Sequence, residues 1–232
     1  MATSSSFLSR LIHPLTTSAK MSASAIAIPE GAEKLTVAAG CFWGVEHMYR
    51  KHFEGKGLYN VRVGFIGGDA KHTSYRAVCS GKTGRKYTLS GSPAWPRRQR
   101  NDTELYSIAN VIPKNTDAEA AEIIYDPTKV TYSQLLQFFY KIHDPTTLNS
   151  QGPDRGSQYR SGIYFHNAEQ EQIAQEVTKK VNEQWWGGRV VTEIIPAGQW
   201  WDAEEYHQLY LDKNPSGYAC PSHFLRQFPD LK

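Results

Sequence analysis

The 232-residue chain lacks two features that would assign it to common functional classes: a long apolar run and a strong excess of charge. No run approaches the roughly 20 apolar residues that span a bilayer, so the sequence gives no sign of a membrane protein. The net charge is only +3, which gives no argument for nucleic acid or a membrane surface as partner. With 40% hydrophobic and 21% charged residues, the composition is that of a globular domain with a sizeable core.

Cysteine is also scarce. Only Cys41, Cys79 and Cys220 occur, widely spaced and without a C-x-x-C motif. The odd number and wide spacing argue against a zinc site and against a secreted disulfide framework. The pattern therefore favours reactive thiols in a reducing compartment.

The N-terminal segment, residues 1–30, is predicted to be a disordered leader. Residues 1–29 contain no acid but many Ser and Thr, together with Arg10, His13 and Lys20. This composition resembles a mitochondrial or plastid transit peptide more than a secretory signal; the alternative is a leader with no targeting role. We expect a cytoplasmic or mitochondrial protein whose domain covers residues 31–232.

Cys41 is predicted to lie where a strand ends and a helix begins. A strand-like run, 35–39, precedes it, and apolar residues at helical spacing follow it from Phe42 to Phe53. The free N–H groups and positive dipole at a helix N-terminus would stabilise a thiolate there. The alternative is a buried, inert cysteine.

The remaining pattern predicts an α+β fold: a two-layer sandwich in which helices pack on one mostly antiparallel sheet. Strands are predicted at 59–66, 122–125, 162–165 and 190–195. Helices are predicted after the capping pairs Thr131/Gln134 and Asn167/Gln170, with a short one at 203–211. A polar loop is predicted at 146–158, and an irregular C-terminal tail carries Cys220.

Residues 85–117 show no sustained periodicity and are predicted to form a long surface loop. The basic run 97–100 inside this segment could form a nucleic-acid-binding patch, but a solvated loop is the simpler interpretation.

Several residues have side chains suited to one thiol-based site. Cys41 is a candidate nucleophile, and Cys220 on a loose tail could reach it as a resolving thiol because a long flexible segment closes at little entropic cost. Glu119 and Asp154 could move protons. Tyr75 and Tyr159 offer phenolic donors. Each has an ordinary structural alternative: tyrosine is often half-buried and carboxylates are usually solvated.

The stretch Gly40-Cys41-Phe42-Trp43-Gly44 resembles the signature of the class A peptide-methionine sulfoxide reductases. The resemblance covers roughly residues 34–84 and 118–226. Further matching stretches are 73–81, Ile124-Tyr125-Asp126-Pro127, His143-Asp144-Pro145, 151–161, Glu193-Ile194 and Tyr206-His207-Gln208.

The resemblance implies a fold with a ferredoxin-like core and a role for each candidate residue. Cys41 would attack the sulfoxide sulfur and Glu119 would protonate its oxygen. The supporting residues would be Tyr75 and Tyr159 as hydrogen-bond donors, Asp154 in the surrounding network, and Phe42 and Trp43 around the S-methyl group.

The resemblance also implies how the enzyme is regenerated. Cys220 would condense with the Cys41 sulfenic acid to form a disulfide that thioredoxin, or another dithiol, reduces. The resemblance implies action on the S epimer of methionine sulfoxide, in proteins and as the free amino acid, with no other cofactor and no metal. We expect a monomer that repairs oxidised proteins. Cys79 would be a small core residue without a redox role.

The sequence departs from the family at one place. Where the family has Thr-Gly-His-Ala-Glu, residues 85–117 stand between Thr83-Gly84 and Ala118-Glu119, in the position of the single His. One hypothesis is a translated intron, because Arg85-Lys86-Tyr87 can be encoded CGT-AAG-TAT and Thr116-Asp117 can be encoded ACA-GAT. Joining the first base of the Arg85 codon, C, to the last two bases of the Asp117 codon, AT, gives CAT, a His codon. This hypothesis predicts a form less active than one without the segment, since Glu119 must be placed accurately.

Two other functional interpretations remain open from the sequence. One is a catalytically impaired isoform of such a reductase. The other is a cysteine hydrolase in which a histidine such as His207 activates Cys41.

Overall fold

The computed structural model describes residues 28–68, 73–81 and 116–232. Most of the predicted leader and residues 85–115 of the predicted insertion lie outside these ranges, as does the basic run 97–100. The strands are β1 (Glu33–Ala39), β2 (Leu58–Ile66), β3 (Ala118–Tyr125), β4 (Ser150–Gln151), β5 (Asp154–Arg155), β6 (Ser161–Phe165), β7 (Glu193–Pro196) and β8 (Trp201–Asp202). The helices are α1 (Phe42–Phe53), α2 (Tyr75–Cys79), α3 (Tyr132–Ile142), α4 (Ala168–Gln184) and α5 (Tyr210–Lys213).

The central feature is a six-stranded sheet with the order β7-β6-β1-β3-β2-β8. All pairings are antiparallel except β6 with β7, which is parallel. Short β4 and β5 form a separate hairpin. The predicted α+β architecture, a mostly antiparallel sheet with helices packed on it, is confirmed.

The main core lies between this sheet and the helices α1, α3 and α4. Alternate residues of β1, namely Leu35, Val37 and Ala39, contribute to it because successive strand side chains point to opposite faces. The helices contribute large side chains such as Tyr49 and Phe139, both fully buried. None of the helices in the described ranges is long and apolar enough to cross a membrane.

Helix α3 begins with the predicted capping box. Thr131 Oγ1 accepts a hydrogen bond from the Gln134 backbone N–H (3.2 Å), and Gln134 Oε1 accepts one from the Thr131 backbone N–H (2.9 Å). Asn167 caps α4 in a similar way, accepting from the Gln170 N–H at 2.9 Å. Each cap typically contributes about 0.5–2 kcal/mol.

Three predicted elements are wrong in their bounds. The strand predicted at 122–125 begins at Ala118, because β3 pairs with β2 from that residue onward. Sheet pairing of β7 starts only at Glu193, because the Val191 N–H donates to the Pro145 carbonyl in a loop instead of to a strand. The predicted helix 203–211 is a 3-10 turn at Glu205–His207 followed by the separate α5. It is interrupted at Leu209, whose φ of +55° is left-handed. The predicted polar loop 146–158 contains the β4–β5 hairpin.

Candidate active site

Cys41 occupies the predicted junction, directly after β1 and as the N-terminal cap residue of α1. Gly40, with φ of +88°, makes the sharp turn that a residue with a Cβ would disfavour. The thiol is buried at 6% exposure. The expectation of a stabilised thiolate is wrong for this resting state: burial, and then the neighbouring Glu119, raise the pKa of Cys41 against the lowering effect of the Trp43 N–H.

Glu119 lies in β3 opposite Phe65 of β2, and only 1% of it is exposed. Its Oε2 accepts a hydrogen bond from the Phe42 backbone N–H at 3.2 Å, one of the free donors at the start of α1. Burial raises the pKa of Glu119 to about 8, although this hydrogen bond lowers it. Glu119 is therefore mainly a neutral carboxylic acid at pH 7 and can donate a proton.

The two residues share one cavity of about 180 Å³. The cavity is lined by Cys41, Phe42, Trp43, Tyr75, Glu119, Asp154, Tyr159 and Tyr218. All the predicted site residues except Cys220 are thus brought to one place from distant parts of the chain. Burial, and then Glu119, raise the pKa of both Tyr75 and Tyr159, so both phenols keep the proton needed to donate hydrogen bonds.

Tyr218 is a cavity residue that the sequence interpretation missed. Its hydroxyl donates to Asp154 Oδ1 at 2.9 Å, which links the C-terminal tail to the β4–β5 hairpin. The only available signal was its position two residues before Cys220. An exposed tyrosine in an irregular tail gives no pattern that would single it out.

Phe42 and Trp43 form the aromatic wall of the cavity. Phe42 is 1% exposed and packs on Phe65 with ring centroids 5.7 Å apart. Trp43 stacks on Tyr210 at 3.7 Å, and its indole N–H donates to His207 Nδ1 at 3.1 Å.

His207 therefore holds Trp43, and it is not among the residues that line the cavity around Cys41. Burial lowers the pKa of His207. The hydrolase interpretation needed this histidine to take the proton of Cys41, and the geometry does not favour it.

Cys220 is buried at 2% exposure, and the expectation of a loose tail is wrong. Its thiol lies 3.6 Å from the Gln151 carbonyl oxygen. It is close enough to Cys41 to contribute to raising the pKa of that thiol. Neither cysteine takes part in a disulfide in the structure.

Cys79 is exposed rather than a small core residue, so that expectation is also wrong. It is the last residue of the five-residue α2, whose buried position is taken by the preceding Val78. Among the described residues, no group of three or more His, Cys, Asp or Glu side chains is arranged to hold a metal ion.

Comparison with known proteins identifies the family. The model for the family described as peptide methionine sulfoxide reductase matches residues 33–90 and 104–228. The chain belongs to the peptide methionine sulfoxide reductase family. It is therefore an oxidoreductase that uses a thiol to reduce methionine sulfoxide. The gap between the two matched segments, residues 91–103, falls inside the predicted insertion.

Individual members of the peptide methionine sulfoxide reductase family extend over most of the chain. The peptide methionine sulfoxide reductase of Saccharomyces cerevisiae is 40% identical over 209 residues, which cover 86% of this chain and 93% of that protein. Reduced Mxr1 from Saccharomyces cerevisiae aligns with a TM-score of 0.67 and 37% identity, over 86% of this chain and 94% of that chain.

A second structure of Mxr1, in complex with Trx2, aligns with a TM-score of 0.50 and 24% identity, over 86% and 93% of the two chains. This last likeness shows the fold alone. The relatives do not favour the alternative of a catalytically impaired isoform. Glu119 also lies in the cavity although the predicted insertion, residues 85–117, comes directly before its strand.

Proposed function

We propose that this reductase acts on the S epimer of methionine sulfoxide, in proteins and as the free amino acid, with Cys41 as nucleophile and Glu119 as acid. The observation that carries the proposal is the shared cavity, in which a buried thiol lies beside a carboxyl with a pKa of about 8. A neutral sulfoxide is a poor electrophile until its oxygen is protonated. A nucleophile and an acid therefore have to converge on the same substrate.

In the first step, Glu119 gives its proton to the sulfoxide oxygen while the Cys41 sulfur attacks the sulfoxide sulfur, and the Cys41 thiol proton returns to the Glu119 carboxylate. Tyr75 and Tyr159 donate hydrogen bonds to the same oxygen. The substrate S–O bond breaks, the oxygen is transferred with its proton to the Cys41 sulfur as the sulfenic acid, and methionine leaves. Phe42 and Trp43 hold the S-methyl group against the apolar wall, and Asp154 supports the network through Tyr218.

In the second step, the Cys220 sulfur attacks the sulfenic sulfur of Cys41. A disulfide forms and the oxygen leaves as water. An external dithiol then reduces the disulfide and restores both thiols. We propose a thioredoxin for this role, supported by the family resemblance and by the fact that Mxr1 has been solved with Trx2.

The test is reduction of a peptide that carries one methionine sulfoxide, supplied as separate S and R epimers with dithiothreitol as reductant. We expect turnover of the S epimer only, reduced at least 100-fold by Glu119→Gln, which keeps the shape but removes the acidic proton. Equal turnover of the two epimers would contradict the stereochemical assignment. Full activity of Glu119→Gln would contradict the role of the acid.

The proposal for the rest of the chain is a leader of residues 1–30 before one reductase domain, monomeric and cytoplasmic or mitochondrial. Residues 85–117 are proposed to be a translated intron. Sequencing the gene and its transcripts tests this directly: a spliced transcript that encodes Thr-Gly-His-Ala-Glu is expected. Genomic codons without the GT and AG boundaries would refute it.

A further inference from the structure

The C-terminal tail inserts His223 into a slot beside the nucleophile. The His223 Nε2–H donates to the Ala39 carbonyl at 2.7 Å, so the ring is anchored two residues before Cys41. The slot exists because Gly44 has no side chain: a Cβ there would overlap the His223 ring. Gly44 of the signature stretch thus accommodates the histidine ring.

His223 is connected to the resolving thiol by a tight turn. Its backbone N–H donates to the Cys220 carbonyl at 3.0 Å. The same turn is seated against Gly152, where a Cβ would overlap Ser222 Oγ and lie 3.6 Å from Cys220 Sγ. Cys220 is therefore held on one side by Gln151 and Gly152 of the β4–β5 hairpin and on the other side by the anchored His223 ring.

The ring is held as a neutral hydrogen-bond donor. With Nε2–H directed at Ala39, Nδ1 carries no hydrogen, and it has no hydrogen-bond partner among the described residues. Burial lowers the pKa of His223, which favours this neutral form. His223 does not line the substrate cavity, so it has no contact through which to act on the sulfoxide.

We propose that His223 is a positioning residue for disulfide formation: it holds Cys220 close to the end of β1, two residues before Cys41. The step it serves is attack of the Cys220 sulfur on the Cys41 sulfenic acid, with loss of water. A thiol held near its target reacts much faster than one on a free segment, since the entropic cost is already met in the fold. The proposal rests on the two-thiol mechanism proposed above, and it assigns His223 no part in sulfoxide reduction itself.

The test separates the two steps in a single turnover without added reductant. Wild type and His223→Ala are mixed with the sulfoxide peptide. The released product, the peptide in which methionine sulfoxide has become methionine, is measured together with the Cys41 sulfenic acid trapped by dimedone. We expect both proteins to release about one methionine per chain. We expect His223→Ala to form the disulfide roughly tenfold or more slowly, with a matching rise in trapped sulfenic acid.

Two further variants control for a general structural effect. His223→Gln keeps an N–H that can reach the Ala39 carbonyl, and it is expected to restore part of the rate of disulfide formation. His166→Ala removes a histidine that does not line the cavity and whose Nε2 lies 2.9 Å from Thr36 Oγ1. This variant is expected to behave as wild type in both steps.

Three outcomes would overturn the proposal: disulfide formation at the wild-type rate in His223→Ala, loss of the methionine release in that variant, or failure of His223→Gln to differ from His223→Ala. Absence of methionine release by wild type would instead refute the proposed function. If circular dichroism shows that His223→Ala does not fold, the yield of trapped sulfenic acid is compared between His223→Gln and wild type instead. We expect a higher yield for His223→Gln, and equal yields would refute the proposal.

Discussion

The raised pKa of Glu119 makes the stability of the fold depend on pH. Its carboxyl is buried beside Phe42 and keeps its proton up to a pKa of about 8, whereas an unfolded glutamate ionises near 4.5. Between these two values the folded chain binds more protons than the unfolded chain. The contribution of Glu119 to stability therefore falls as the pH rises through this range.

Replacement of Glu119 by glutamine removes this pH dependence while keeping an oxygen that can accept from the Phe42 N–H. Relative to wild type, Glu119→Gln should gain stability as the pH rises from about 4.5 to 8, at up to roughly 1.4 kcal/mol per pH unit, and the difference should then level off. Urea unfolding of both proteins at pH 5, 6.5 and 8 measures it. A difference that does not change with pH would show that Glu119 titrates normally in the folded state.

At the scale of single residues, the sequence predicted most of the residues that line the cavity, but not Tyr218 and not the electrostatics of the site. Cys41 at a helix N-terminus suggested a stabilised thiolate, because the helix dipole is a local feature that the sequence displays. The opposing effects, burial and the Glu119 carboxyl, arise only when β3 is placed against α1. His223 was missed for the same reason: the glycine slot that receives it is created by tertiary packing.

At the scale of elements, the critical one is the start of β3, where the predicted insertion joins the sheet. Asp117 is fully buried, and its Oδ1 accepts from the Gly68 N–H at 2.9 Å. Directly after it, the β2–β3 register runs without interruption from Ile66↔Ala118 and Phe65↔Glu119 to Leu58↔Tyr125, apart from one shift near Asn60. The strand that carries Glu119 is therefore fully paired at the end where the insertion enters.

Asp117 should accordingly stabilise this junction. Asp117→Ala leaves the Gly68 N–H without this acceptor and is expected to cost about 1–3 kcal/mol of unfolding free energy. Asp117→Asn retains an acceptor oxygen and should cost less than Asp117→Ala. Denaturant unfolding provides the measurement, and equal stability of Asp117→Ala and wild type would show that the contact contributes nothing.

The elements that the sequence predicted well are those specified by short-range chemistry. The capping pair at Thr131 and the helical spacing after Cys41 lie within a few residues, so their pattern is complete in the sequence. The start of β7 and the break at Leu209 were missed because a loop carbonyl and a left-handed backbone decide them. Neither is visible as periodicity.

At the scale of the whole molecule, the C-terminal tail wraps around the helical layer and binds it at several points. The ring of Phe228 stacks on Trp185 at 4.8 Å, and the Trp185 indole N–H donates to the Pro229 carbonyl at 2.9 Å. The Arg226 N–H donates to the Lys141 carbonyl at 2.9 Å. The tail thereby connects the helices to the turn that carries Cys220.

Loss of the Phe228 ring should weaken this attachment. Phe228→Ala is expected to lower the unfolding free energy by about 1–3 kcal/mol and to accelerate proteolysis of the tail, because a partly buried aromatic contact is removed. Phe224→Ala is the matched control, since Phe224 is 52% exposed and its loss should cost less than about 1 kcal/mol. Equal losses from the two variants would contradict a specific role for the stack.

The most direct test of the central claim, that Cys41 reduces the sulfoxide and Cys220 resolves the product, is a single turnover without reductant in which methionine and free thiols are counted together. Wild type and Cys79→Ser should each release one methionine per chain and lose the Cys41 and Cys220 thiols. Cys220→Ser should release methionine but leave a trappable sulfenic acid, and Cys41→Ser should release none. Methionine release by Cys41→Ser, or its loss in Cys79→Ser alone, would contradict the mechanism.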